Sequence, residues 1–235
     1  MKIGIVCAGD DELRPFLPII ENHIVTERAG LEFHEGSVCG KDVVALFSGV
    51  CKVNAAIASQ ILIDVFEVDM IINSGTAGGM NSELDIFDTV ISTEVCYHDV
   101  LPANLTEFYP WMETPFFKAD EKLVRLSLLA ASKTETRGRV FAGRMVTGEN
   151  FITDEGRERI NRLFAPLSVD METASIAHVC HVNSIPFVAI RCITDTAKHS
   201  GVETFEENCC EASAISKEIT IGLIKELSSD YKDTY

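Results

Sequence analysis

Apolar residues run along this chain in two rhythms. Short unbroken runs predict buried strands, and longer stretches with apolar residues three and four apart predict helices. Residues 2–7 read as a first buried strand. Residues 11–20 read as a helix made irregular by Pro15 and Pro18. Residues 24–28, 31–39 and 42–48 read as short strands divided by Gly30 and Gly40. Residues 52–66 predict a helix with Ala58, Ile61, Leu62, Val65 and Phe66 on one face. Residues 69–73 form another buried run, closed by Gly75, Gly78 and Gly79.

The second half repeats the alternation. Strands are predicted at 88–97, 139–146, 167–170 and 186–193, and helices at 119–132, 153–164, 172–181 and 206–227. Thr153 is a candidate N-cap. The closing helix carries Ile215, Ile219, Leu223 and Leu227 four apart. Residues 100–115 hold three prolines and the only tryptophan, Trp111, and read as a long irregular loop. Strands alternating with helices imply an α/β fold, a mixed and mainly parallel sheet flanked by helices. The early run of strands without a helix implies that some directions are reversed. With no linker, repeat or low-complexity segment, one domain over 1–235 is expected.

Composition narrows the function classes. Hydrophobic residues make up 46% and charged residues 24% of 235 positions, which excludes a disordered, collagen-like or coiled-coil chain. Twenty basic against 36 acidic side chains leave a net charge of −16. Such a surface repels phosphate backbones and anionic lipid heads, so neither a nucleic-acid nor a membrane partner is expected. Eight cysteines without a C-x-x-C pair read as reduced thiols of a cytoplasmic protein. The N-terminal apolar run is too short for a signal peptide.

In open α/β sheets, sites gather at the carboxyl ends of strands. Here those ends carry Asp10-Asp11-Glu12, then Asn73-Ser74-Gly75-Thr76-Ala77-Gly78-Gly79, then Gly148-Glu149-Asn150-Phe151-Ile152, then Asp170-Met171-Glu172, then Arg191 and Thr194-Asp195. The glycine segment reads either as a loop that lets a ligand approach backbone amides or as a tight turn. Asp170 and Glu172 read either as helix-start acids or as acceptors for two sugar hydroxyls. Arg191 ends an apolar strand, where a buried charge requires a partner. His178, Cys180 and His181 lack metal-site spacing and read as satisfied histidines. Tyr97-His98-Asp99 reads either as a proton relay or as a hydrogen-bonded turn. Trp111, Phe116 and Phe117 read as packing or interface residues. The absence of G-x-S-x-G disfavours a serine hydrolase.

Taken in order, these segments resemble the 5′-methylthioadenosine/S-adenosylhomocysteine nucleosidases, members of the nucleoside phosphorylase fold. The resemblance runs from Met1 to about Leu227 and is strongest over Asp170-Met171-Glu172-Thr173-Ala174-Ser175-Ile176-Ala177-His178-Val179-Cys180. It implies a nucleoside substrate, adenine release, no cofactor and no metal. By that resemblance Glu12 is the general base on water and Asp195 the acid that protonates N7 of the departing purine. Glu172 binds the ribose hydroxyls, Met171 packs on the sugar, Phe151 stacks on the base, and the Ile152 backbone reads the purine edge. Arg191 and Thr76 hold water and sugar, and Gly78 lines the pocket. It further implies a homodimer whose neighbouring subunit closes the 5′ pocket.

The sequence departs from that pattern at several points. Cys7-Ala8-Gly9 stand where the family carries Gly-Ala-Met, which predicts a larger sugar pocket. Thr76 and Thr194 keep a hydroxyl where serine is common, and Asp170 replaces a glutamate. Lys198 is expected near the acid, and residues 100–115 differ. Three alternatives remain at this level: an aminodeoxyfutalosine nucleosidase, a phosphorylase, and a non-catalytic nucleoside-binding protein.

Overall fold

The computed structural model describes residues 1–108 and 112–228. Trp111 lies outside the described residues. The order is β1 (Lys2–Cys7), α1 (Asp10–Leu13), β2 (Glu21–Arg28), β3 (Leu31–Val38), β4 (Lys41–Phe47), α2 (Lys52–Asp64), β5 (Met70–Gly79), β6 (Thr89–Tyr97), α3 (Ala103–Thr106), β7 (Phe117–Lys118), α4 (Glu121–Lys133), β8 (Val140–Thr147), α5 (Asp154–Phe164), β9 (Ser168–Asp170), α6 (Thr173–Asn183), β10 (Phe187–Asp195) and α7 (Val202–Glu226). The two prolines split the first predicted helix into α1 and a 3-10 turn at Leu17–Ile19. α2 stops at Asp64, so Val65 is its C-cap and is exposed rather than on the buried face. Thr153 occupies the N-cap position of α5 with extended backbone, but its side chain makes no capping bond.

The sheet is mixed, as the alternation predicts. β4, β1, β5 and β10 are joined by parallel ladders, as are β6, β8 and β9; β2, β3 and β7 attach antiparallel. β10 also pairs antiparallel with β6, and the end of β5 pairs antiparallel with β9. Strands β5, β10, β6, β8 and β9 therefore close into a ring, while β1 to β4 extend from it as an open wing.

Alternation along the central strands explains the two cores. Ile71, Phe187 and Ala189 face one core with Leu62 of α2 and Ala174 and Ala177 of α6. Met70, Ile72, Val188 and Ile190 face the other with Ile219 and Leu223 of α7. With both faces covered, continuous apolar runs are what buried parallel strands require.

β5 corrects one expectation. The glycine segment is neither loop nor turn, because β5 continues through it to Gly79, paired with β10 and then β9. β10 ends in a bulge between Ile193 and Asp195, opposite Ala77 and Gly78. Such an extra residue breaks the alternation of a strand and re-aims a side chain. Thr194 and Asp195 consequently both line one cavity.

Candidate active site

α1 leaves β1 within three residues, and Gly9 is its N-cap. Glu12 folds back over that start. Its Oε2 accepts from Ala8 N at 2.6 Å and Gly9 N at 3.3 Å. Its Oε1 accepts from Thr76 N at 2.7 Å and the Thr76 hydroxyl at 2.8 Å. The carboxylate presses so closely on β5 that a Cβ at Gly75 would lie 2.4 Å from it. That contact is one physical reason for the glycines in this strand.

The junction of β9 and α6 supplies two more acids with different tasks. Asp170 accepts from the hydroxyls of Thr147 and Thr173 and from the backbone N–H groups of Glu172 and Thr173, which fixes the strand-to-helix turn. Glu172 Oε1 accepts from Cys51 N at 2.9 Å and its Oε2 from Arg191 Nη2 at 3.2 Å. Arg191 Nε is 3.5 Å from Asp170 Oδ2, so the buried cation lies between two carboxylates, while its Nε and Nη1 hydrogen-bond nothing among the described residues. Burial pushes the Glu172 carboxyl up from its ordinary range, and Arg191 opposes that shift. Burial alone would push Arg191 down, but Asp170, Glu12 and Glu172 outweigh it and hold the guanidinium above its ordinary value.

Asp195 is held more sparsely. Oδ1 accepts from the Thr194 hydroxyl at 3.0 Å, and Oδ2 lies 3.8 Å from Arg157 Nη2, beyond hydrogen-bond reach. Gly78 leaves room beside it, since a Cβ there would sit 3.2 Å from Oδ2. Burial pushes the Asp195 carboxyl up, while the Thr194 bond and the Arg157 charge pull it back.

Glu12, Thr76, Gly78, Phe151, Ile152, Met171, Glu172, Arg191 and Asp195 all line a single cavity of about 410 Å³. That volume suits a small-molecule site. Phe151 meets Phe205 edge-on at 6.1 Å, which gives the cavity an aromatic corner. Gly9 lines it too, and a Cβ there would meet nothing within 4 Å.

The other candidates resolve differently. Asp99 accepts from Lys52 Nζ at 3.0 Å and Glu149 N at 2.9 Å, and His98 N donates to Thr147 O, so the end of β6 is tied to α2 and β8. His178 stacks on Phe117 at 4.7 Å and meets the Tyr97 hydroxyl at 3.3 Å, a satisfied histidine. Lys198 is exposed and reaches Asp85 at 3.9 Å, which corrects the expectation that it attends the acid.

Sequence reasoning missed Val50, Phe205 and Cys209 in the lining, and also Cys51 and Arg157. Cys51 contributes a backbone N–H from a left-handed position (φ 82°), which no side-chain pattern announces. Val50 follows a predicted strand and could have been found by inspecting that strand exit.

A family model described as the phosphorylase superfamily matches residues 2–225. A 5′-methylthioadenosine/S-adenosylhomocysteine nucleosidase of Bacillus cytotoxicus is 36% identical over 97% of this chain and 100% of its own length. The chain belongs to this nucleosidase family of the phosphorylase superfamily. The family fold extends over nearly every described element. The nucleosidase from Neisseria meningitidis, solved in complex with methylthio-immucillin-A, superposes with a TM-score of 0.89 at 31% identity, covering 96% of this chain and 99% of that one. The futalosine hydrolase of Helicobacter pylori superposes at 0.87 with 25% identity, over 97% and 98% of the two chains.

Proposed function

We propose that this chain hydrolyses the N-glycosidic bond of 5′-methylthioadenosine and S-adenosylhomocysteine, with 5′-deoxyadenosine as a further substrate, and so serves methionine salvage. The observation that carries the reading is the meeting of Glu12 and Asp195 in one nucleoside-sized cavity with Glu172 and Arg191. The nucleosidase relatives support the same chemistry.

Cleavage leaves positive charge on the sugar and an electron pair on the base. Asp195, protonated, gives its proton to purine N7 as the C1′–N9 bond breaks and its electron pair departs with the base. Glu12 takes a proton from the water whose oxygen bonds to C1′. The products are adenine and the thioribose. Of the four donors on Glu12, the Thr76 hydroxyl alone can rotate away, which frees a lone pair on Oε1 for that water. Glu172 accepts from ribose hydroxyls, with Arg191 keeping it aligned. Phe151 stacks on the base, the Ile152 backbone reads its edge, Met171 packs on the sugar, and Gly78 leaves space beside the acid.

A phosphorylase needs an anion where Glu12 would repel it. The test is free-base release from methylthioadenosine, adenosylhomocysteine, 5′-deoxyadenosine, aminodeoxyfutalosine and inosine, with and without phosphate. Adenine from the first three without phosphate is expected. Strict phosphate dependence, or tight binding without turnover, would sink the reading. Preference for aminodeoxyfutalosine would move it to that alternative, and the open space beside Gly9, where a Cβ would meet nothing within 4 Å, favours including that substrate.

We infer a homodimer. Val53 and Ile57 of α2, Val182 of α6 and Val50 beside the cavity are exposed apolar side chains on neighbouring elements. A partner seated there would cover them and bound the 5′ end of the cavity. Sedimentation showing a monomer at assay concentrations overturns this. Free thiols, five of the eight being buried, support a reducing cytoplasmic setting. Among the described residues, no helix is long and apolar enough to cross a membrane.

A further inference from the structure

Arg157 sits in a charged stretch of α5, yet it is buried at 5% exposure. A buried guanidinium must be paired or must serve something, because its desolvation is otherwise uncompensated. Nη1 donates to Gly79 O, at the end of β5, and also meets Met80 Sδ at 3.4 Å. These contacts fix one edge of the group. Nε and Nη2 are buried and hydrogen-bond nothing among the described residues. The Nη2 edge faces Asp195 Oδ2 at 3.8 Å.

We propose that Arg157 is a positioning residue for the acid: its guanidinium aims the Asp195 carboxyl and stabilises the charge that remains there once the proton has moved to the purine. This deepens the adenine-releasing reading and rests on it. A fully formed salt bridge would hold Asp195 ionised at rest and disarm it. A distant cation would leave the spent carboxylate buried without a counter-charge. At 3.8 Å the pair is between these limits, so a shift of under 1 Å makes the bond when charge appears. The strand end at Gly79 anchors the guanidinium while this happens.

Other charged or titratable groups face Asp195 across the cavity: the α1 carboxylates, Asp170 and Glu172 ahead of α6, Arg191 on its own strand, and Glu206 and Cys209 on α7. Among the described residues, only Arg157 comes within 4 Å of it with the opposite charge. Removing that charge must raise the carboxyl's proton affinity, and a carboxyl that loses an adjacent cation shifts by about one pH unit or more.

The experiment compares wild type, R157M and R157K on methylthioadenosine, with kcat and KM followed across pH. In parallel, the Asp195 carboxyl is titrated by carbon-13 NMR of aspartate-labelled protein and assigned with D195N. R157M is expected to lose about tenfold or more in kcat, the scale on which a weakened general acid acts, with KM changed less than kcat. Its alkaline limb and its Asp195 titration should both move to higher pH. R157K should keep both near wild type, because it restores the cation. If R157M does not fold, R157Q takes its place. An Asp195 titration unmoved in a folded neutral variant overturns the proposal, as does R157K shifting as far as R157M. A wild-type protein that titrates normally but releases no adenine refutes the functional reading instead.

Discussion

The carboxyl groups of Glu12 and Asp195 share a cavity and are held in unlike ways. Glu12, on a short helix leaving β1, accepts from three backbone N–H groups and one hydroxyl. Asp195, beyond a bulge at the end of β10, accepts from one hydroxyl and faces a cation across a gap. Burial with few donors favours the protonated form of the Asp195 carboxyl. Under the proposed mechanism one functional group is acceptor on one wall and donor on the other.

The sharpest way to break the contrast is to remove the proton from one side. Asp195→Asn should lower kcat by about 10²–10⁴-fold while KM changes far less, since the amide keeps the shape and lacks the acid. Steady-state kinetics with adenine detection checks it; near-normal turnover removes the acid role.

Next in size is the pairing beneath both groups. Arg191→Met strands Asp170 and Glu172 in a buried site and should destabilise the fold by about 3–5 kcal/mol. Denaturant unfolding measures this, and a loss below 1 kcal/mol would mean that the acids had found other partners.

The glycines of β5 then offer a paired test. Gly75→Ala drives a methyl against the Glu12 carboxylate at 2.4 Å and should cost about 1–3 kcal/mol, with activity falling as Glu12 is displaced. Gly78→Ala meets Asp195 Oδ2 at 3.2 Å and should cost less in both respects. The reverse ranking, read from melting temperatures and kcat, would contradict the account of why the strand is glycine-rich.

The gentlest probe is pH. Under the proposed mechanism Asp195 acts while protonated, and burial raises its proton affinity. Turnover should therefore persist above the ordinary carboxylate range and fall as pH rises through the Asp195 transition. A profile that climbs with pH through that range would assign the limb to a different group.

Much of this was legible in the residues. Unbroken apolar runs located β1 and most of β10, and the habit of α/β folds located the site at strand exits. The nine residues carried over by resemblance do share one cavity. What stayed hidden depended on partners distant in sequence. Gly75 and Gly78 looked like turn residues because no local pattern shows a carboxylate pressing on a strand. Arg157 is one of several charges in its helix, and only its contact with the end of β5 sets it apart. Val65 followed the helical spacing but falls where α2 has already ended. Cys51 acts through its backbone, where side-chain chemistry gives no sign.

The ring of strands has a consequence for how the protein comes into being. Its closure joins residue 71 to residue 187, and Phe205 and Cys209 complete the lining of the cavity that Glu12 shares. A chain emerging from the ribosome therefore carries Glu12 well before Asp195, Phe205 and Cys209 exist to share a cavity with it. Catalytic competence arrives late and all at once, when the final quarter docks, and contacts so far apart along the chain make that docking slow relative to local helix formation.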